Sequence, residues 1–184
     1  MHRVMPVTME KMIMLDIDMR VKGDIAELYK KFDDLKKGEI MYITREMQPI
    51  YDLSTIVYRR THKDSPIGMP PPKGKPGFNT GVVLLNLAHM RNNTLYNSYL
   101  DDPKKTSDLK NQYKFHGHLG DQDFFTLLSF EHDGMFRYLP CQWNRQLCTW
   151  WKTRGRNNWD WDAYHNCTPP IFIYHGNCDT PIPE

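Results

Sequence analysis

The stretch Lys11–Arg20, KMIMLDIDMR, decides how the rest of the chain is read. Residues 12–15 are apolar on consecutive positions, the pattern of a short buried strand as found in parallel sheets. The run then breaks into an acid, an apolar residue and a second acid. Side chains alternate along an extended chain, so Asp16 and Asp18 point one way and Ile17 the other. Two hard oxygen donors on one side suit Mg²⁺ or Mn²⁺, and a histidine as third ligand tilts the choice toward Mn²⁺. Such an ion, with positions left open, bridges a diphosphate and stabilises a leaving nucleotide. The D-x-D spacing alone is unspecific, and its plainer reading is a solvated strand end.

The whole chain sets the frame. Its 184 residues are enough for one domain with a real core, and 40% hydrophobic with 25% charged residues is ordinary for a folded protein. A formal net charge of +2 gives no argument for nucleic acid or an anionic membrane surface. No apolar run approaches the roughly 18 residues that span a bilayer. The opening MHRVMPVTMEK has no unbroken apolar stretch and does not read as a signal peptide.

Cys141, Cys148, Cys167 and Cys178 all lie in the last quarter of the chain, an even set that suits two disulfides in any of three pairings. A zinc site is the competing reading, but no C-x-x-C pair is present. Clustered disulfides and the sequons at Asn92 and Asn166 point to a secretory lumen.

Along the chain, Asp24 with Glu27 three residues later reads as a capping-box start, and Ile25, Leu28, Tyr29, Phe32 and Leu35 follow as a core-facing stripe. Residues 41–58 are mixed, with a strand or two. The Pro/Gly-rich segment 62–78 is a loop long enough to be functional. Gly81 to Leu85 is a second buried strand running into a helix. Residues 104–114 are polar and helical at best. GDQDFFTLLSF starts a helix capped by Asp121, with Phe124, Leu127 and Leu128 inward. RYLP and IFIY are short strands. This alternation indicates an α/β domain with a largely parallel sheet and flanking helices. Ligands in such sheets sit beyond strand ends, where Asp16–Asp18, Asn79 and His175-Gly176-Asn177 fall.

IMLDIDM, GFNTGVVLLNLAHMR, HLGDQDFF, PCQWN and IYHGN occur in the order and at the approximate spacing of the retaining glycosyltransferases of the glycogenin-like family eight. The chain resembles that family over nearly its whole length, and F-N-T-G, G-D-Q-D and H-G-N together are specific for it. The resemblance implies a GT-A type nucleotide-diphospho-sugar transferase fold. It implies Mn²⁺ at Asp16, Asp18 and His175, with Mg²⁺ as a weaker substitute. Ile17 falls where the backbone meets the nucleotide, and Asn79 and Thr80 line the donor sugar. Gln122 falls beside the anomeric carbon with Asp121 and Asp123 adjacent, and Gly176 and Asn177 form the turn against the diphosphate. A neutral Gln122 suits front-face retention, in which the leaving phosphate helps deprotonate the acceptor; double displacement through Asp121 or Asp123 is the alternative.

The match is with members that move xylose from UDP-xylose to a xylose–glucose disaccharide on EGF repeats, in the endoplasmic reticulum lumen. Related readings are addition of the first xylose to O-glucose, another sugar transfer of the family, or an inactive module that only binds the glycosylated acceptor. The family suggests the crossed pairing Cys141 with Cys167 and Cys148 with Cys178. Residues 141–178 form a Cys/Trp-rich acceptor side. Most of Trp143, Trp150, Trp151, Trp159 and Trp161 pack against disulfides, with Trp143 and Trp151 chosen as sugar platforms. Leu53, Ser54, Thr55 and Ile56 are candidates for acceptor protein contact.

One departure stands out. Family members place two or more βα units, which grip uracil and ribose, before the D-x-D strand, and the xylosyltransferases carry a membrane anchor upstream. Here the strand begins near residue 12, so the expectation is the C-terminal portion of a single GT-A domain, unstable or inactive when made alone.

Overall fold

The computed structural model describes residues 1–154 and 160–184; Trp159 lies outside the described residues. The elements run β1 (Lys11–Leu15), β2 (Met19–Val21), α1 (Ile25–Lys30), β3 (Met41–Arg45), α2 (Ile50–Ser54) and α3 (Ile56–Thr61). After the Pro/Gly-rich loop come β4 (Phe78–Asn86), α4 (Leu87–Asn92), α5 (Thr94–Asp101), α6 (Pro103–Gln112) and α7 (Asp121–His132). The last part holds β5 (Phe136–Leu139), β6 (Arg145–Gln146), α8 (Trp150–Arg154), α9 (Trp161–His165) and β7 (Ile173–His175). Residues 41–58 thus hold one strand and the start of a helix pair.

A four-stranded sheet has the order β1-β4-β3-β5, and a three-stranded sheet the order β2-β7-β6. The sheets are mixed, which corrects the expectation of a largely parallel one. β1 runs antiparallel to β4, and β4 antiparallel to β3; only β3 with β5 and β6 with β7 are parallel. The reason is visible in β1. Met12 and Met14 pack on the core formed by β3, β4 and α7, while Ile13 and Leu15 pack on a second core with Leu28, Phe32, Trp143 and Ile173. A strand covered on both faces is apolar on consecutive positions whichever way its neighbour runs.

Helix α1 starts on Asp24, whose carboxylate accepts the Ala26 N–H, but Glu27 does not complete the capping box and pairs with Lys30 at 2.6 Å. Leu28 and Phe32 are fully buried, each worth about 1.5–3 kcal/mol. Ile25 and Leu35 pack on the same core, whereas Tyr29 departs from the expected stripe and faces solvent. Helix α7 is capped by Gly120, at φ 63°, rather than by Asp121. Asp123, three residues in, reaches back instead to accept the Leu119 N–H at 2.7 Å.

The disulfides are Cys141–Cys167 and Cys148–Cys178, in the crossed arrangement. Among the described residues no helix is long and apolar enough to cross a membrane.

Candidate functional site

The site grows from an irregularity in β4. Its pairing with β3 runs Ile43 to Val83 and then jumps to Thr44 with Asn79, so residues 80–82 bulge out of that ladder. Bulges free backbone groups for other partners. The Gly81 N–H goes to the Asn79 side-chain oxygen at 3.0 Å and the Thr80 N–H to Gln122 Oε1 at 3.2 Å. Helix α7 docks on this edge through matched periods. Gln122 and Thr126, one helical turn apart, receive the N–H groups of Thr80 and Phe78, two strand residues apart.

On the other edge of β4, the Asp16 N–H donates to the Gly81 carbonyl, extending β1 by one bond. The chain then turns at Ile17, fully exposed at 103%, and enters β2. Met19 pairs with His175 across the β2–β7 ladder, and the Gly176 N–H donates to the Asp18 carbonyl at 2.8 Å. This register brings the distant ligands together. His175 Nε2 lies 3.6 Å from Asp16 Oδ2 and 3.5 Å from Asp18 Oδ1, and one ligand atom from each of the three lies within 4.8 Å of the others.

The tautomer of His175 follows from a chain of donors that starts at the backbone. Because Gly81 N–H fixes the Asn79 oxygen, the Asn144 side-chain NH₂ faces that oxygen, at 2.8 Å, and Thr44 Oγ1, at 2.7 Å. Asn144 Oδ1 is therefore turned to His175 Nδ1, 3.0 Å away, and takes its proton. Nε2 is left as a lone pair aimed at two carboxylates. Burial pushes the imidazole pKa down, against the pull of Asp18 and Asp16. Desolvation pushes the Asp16 carboxyl up, with His175 opposing and Asp18 and Asp121 adding to it. A lone pair and two acids facing one point repel each other until a cation sits between them, and the donor set of two oxygens and one oriented imidazole fits a divalent ion.

Close packing of Gly81 under the ring is part of this arrangement. A Cβ there would lie 2.5 Å from His175 Cε1. Gly81→Ala is expected to displace the imidazole and weaken any divalent-metal binding at this site by about tenfold or more, read by titration of the free metal. Unchanged affinity would show that the ring has room to yield.

Glu46, just beyond β3 and 2% exposed, was not singled out by the sequence, nor were Asn144 and Tyr51. Its Oε2 accepts from Asn79 Nδ2 at 3.2 Å and Gln122 Nε2 at 3.3 Å, and its Oε1 accepts the Gln48 N–H at 3.1 Å. The Tyr51 hydroxyl accepts from Gln122 Nε2 at 3.3 Å and donates to Asp123 Oδ1 at 3.0 Å. Desolvation raises the Glu46 pKa to about 7. The folded protein therefore binds this proton more tightly than the unfolded chain, and the group's contribution to stability declines between about pH 4.5 and 7 and is flat above. The stability of Glu46→Gln relative to the parent is expected to improve by about 3 kcal/mol across that window, from 1.36 kcal/mol per pKa unit. Thermal unfolding of both proteins from pH 4 to 8 checks this, and a constant difference would contradict it.

Other expected site residues are placed differently. Asn177 is an anchor: its side-chain oxygen accepts the Leu147 and Cys148 N–H groups at 3.0 and 2.9 Å. Asp121 is exposed, and its Oδ1 takes the Gln122 N–H. Both Asp123 oxygens are committed, to Leu119 and Tyr51. Trp143 is 5% exposed, 4.5 Å from the Phe172 ring, so core packing replaces the expected sugar platform. Trp151 is half-buried, set edge-on to Trp150. Ser54 and Thr55 are buried with hydroxyls bonded to the carbonyls of Ile50 and Tyr51, which removes them as acceptor contacts; Leu53 and Ile56 stay half-buried. Asn92 and Asn166 are both exposed.

Asp16, Asp18 and His175 thus form a candidate metal site at a D-x-D turn, joined through buried amides to a glutamine on a helix start, within a mixed α/β fold of GT-A type. The chain belongs to glycosyl transferase family 8, whose model matches residues 3–168. It is 47% identical over all its 184 residues to xyloside xylosyltransferase 1 of Mus musculus and to that of Homo sapiens, and covers 46% of each. The chain thus spans about half the length of these curated relatives. The crystal structure of the mouse protein in its apo form superposes with a TM-score of 0.95 at 46% identity, over 98% of this chain and 63% of that one.

Proposed function

We propose that the chain carries the metal and donor-sugar side of a Mn²⁺-dependent retaining xylosyltransferase. It would take xylose from UDP-xylose to a xylose–glucose disaccharide on EGF repeats. The observation that carries the reading is the Asp16, Asp18 and His175 cage connected through Asn144, Asn79 and Glu46 to Gln122. Similarity to two xyloside xylosyltransferases supports the choice of sugar. Crossed disulfides and two exposed sequons support the endoplasmic reticulum lumen as its place.

When bound, Mn²⁺ supplies positive charge against the diphosphate leaving group. The chain's own residues hold and orient. Ile17 offers an exposed apolar face to the nucleotide, and Asn79, Thr80 and Gln122 border the sugar. Gln122 is neutral and Asp123 has no free oxygen, so front-face retention is favoured over a covalent intermediate through Asp123. Catalysis then rests on positioning and fixed dipoles.

The test supplies the chain, joined to the upstream βα units of a xyloside xylosyltransferase, with UDP-xylose, Mn²⁺ and EGF repeats bearing either xylose–glucose or glucose alone. Transfer to the xylose–glucose repeat, abolished by chelator, is expected. Turnover in excess chelator would sink the proposal. Preference for the glucose repeat would reassign the acceptor, and repeat binding without metal-dependent UDP binding would mark a binding module.

A further inference from the structure

We propose that Glu46 is a positioning residue that couples the metal branch of the site to the sugar branch, by serving in its ionised state as the shared acceptor for the amides of Asn79 and Gln122. This rests on the function proposed above only for its catalytic consequence; the coupling itself is a statement about hydrogen bonds.

The two amides are arranged as mirror images about Glu46. Each has its oxygen held by a bulge N–H, Gly81 for Asn79 and Thr80 for Gln122. Each is thereby forced to aim its NH₂ inward, and both NH₂ groups meet at Glu46 Oε2. The other oxygen faces the Gln48 N–H. Three donors converge on the carboxyl and the hydrogen bonds around it offer no acceptor for a proton of its own. A carboxylate satisfies all three. A protonated carboxyl must put its O–H at the lone-pair position these donors leave on Oε1, where none of these hydrogen bonds supplies an acceptor, and the amides cannot flip to offer one without opposing their own NH₂ groups to Gly81 and Thr80 N–H.

Among the described residues, few ionisable groups face Glu46. Tyr51 on α2 meets the same Gln122 NH₂, with Asp123 of α7 behind it. On β3, neighbouring Arg45 lies with its guanidinium 4.2 Å from the Tyr138 ring. His175 on β7 stands two amides away, beyond Asn79 and Asn144. Burial without a cation among its hydrogen-bond partners opposes the ionised state that the donors require, which places the balance near neutral pH.

From Asn79 the ordering runs through Asn144 to His175, and from Gln122 it runs to the Thr80 backbone. Protonating Glu46 weakens both at once. The expected signature is a single shared titration: the side-chain amide NMR signals of Asn79 and Gln122 move together, with a midpoint near neutral pH and the same midpoint as the ¹³C-labelled Glu46 carboxyl. In Glu46→Gln that titration is lost from both amides. In xylose transfer, kcat falls about tenfold per pH unit below the midpoint while KM for UDP-xylose shifts by less than about twofold. Amide signals that stay flat from pH 5.5 to 8.5, or that titrate unchanged in Glu46→Gln, overturn the coupling. If Glu46→Gln does not fold, the parent's carboxyl and amide series decides alone. Amide coupling without any xylose transfer would leave this inference standing and retire the proposed reaction.

Discussion

Replacing Asp18 by alanine is expected to lower Mn²⁺ affinity by at least about a hundredfold, the upper end of what loss of a mere outer-shell partner costs. The xylose transfer proposed above should fall with it. The variant removes one of two anionic donors and leaves Asp16 with His175, a pair with half the negative charge. The fold should not follow. The Asp18 side chain is 44% exposed, and its structural bond is the backbone carbonyl that accepts the Gly176 N–H, which alanine keeps. Thermal unfolding without metal should move by no more than about 0.5 kcal/mol, as for an exposed substitution. Metal titration and unfolding on the same sample separate the two effects. Parent-like Mn²⁺ affinity in Asp18→Ala would place the ion elsewhere.

Cys148→Ala/Cys178→Ala should show the opposite division. That disulfide closes a sequence separation of 30 residues, for which the chain-entropy relation gives about 3.6 kcal/mol. For a chain of this size the loss corresponds to a fall of about 10 °C in melting temperature. It also brackets Asn177, which ties the turn after His175 to Leu147 and Cys148. Metal affinity should therefore weaken as a secondary effect of a looser β6–β7 end. An unchanged melting temperature would show that the packing of Cys148, fully buried, holds this end without the bond.

What could be read from the sequence depended on whether the chemistry was local. Asp16 and Asp18 are two residues apart after an apolar run, so they were legible locally as a pair of candidate ligands, although a turn at Ile17 and not strand alternation brings them together. The disulfide pairing and the role of Gln122 came from resemblance, not from spacing. The antiparallel course of β1 was hidden, because Met12 to Leu15 serve two cores and a doubly covered strand looks alike in either direction. Glu46, Asn144 and Tyr51 were hidden for a different reason. Each matters through partners 31 or more residues away, and a buried glutamate looks like a surface one until its neighbours are placed. Trp143 was misread because an aromatic ring offers the same face to a sugar and to Phe172.

The pairing of Met19 with His175 has a consequence for the chain's assembly. The acids of the cage come from its first strands and the imidazole from its last, so no early fragment can hold the ion with all three. A ribosome must release residue 175 before the third ligand exists. A metal bound there would act as a clasp between strands far apart in the polypeptide, and its retention would report that these two parts of the fold have met.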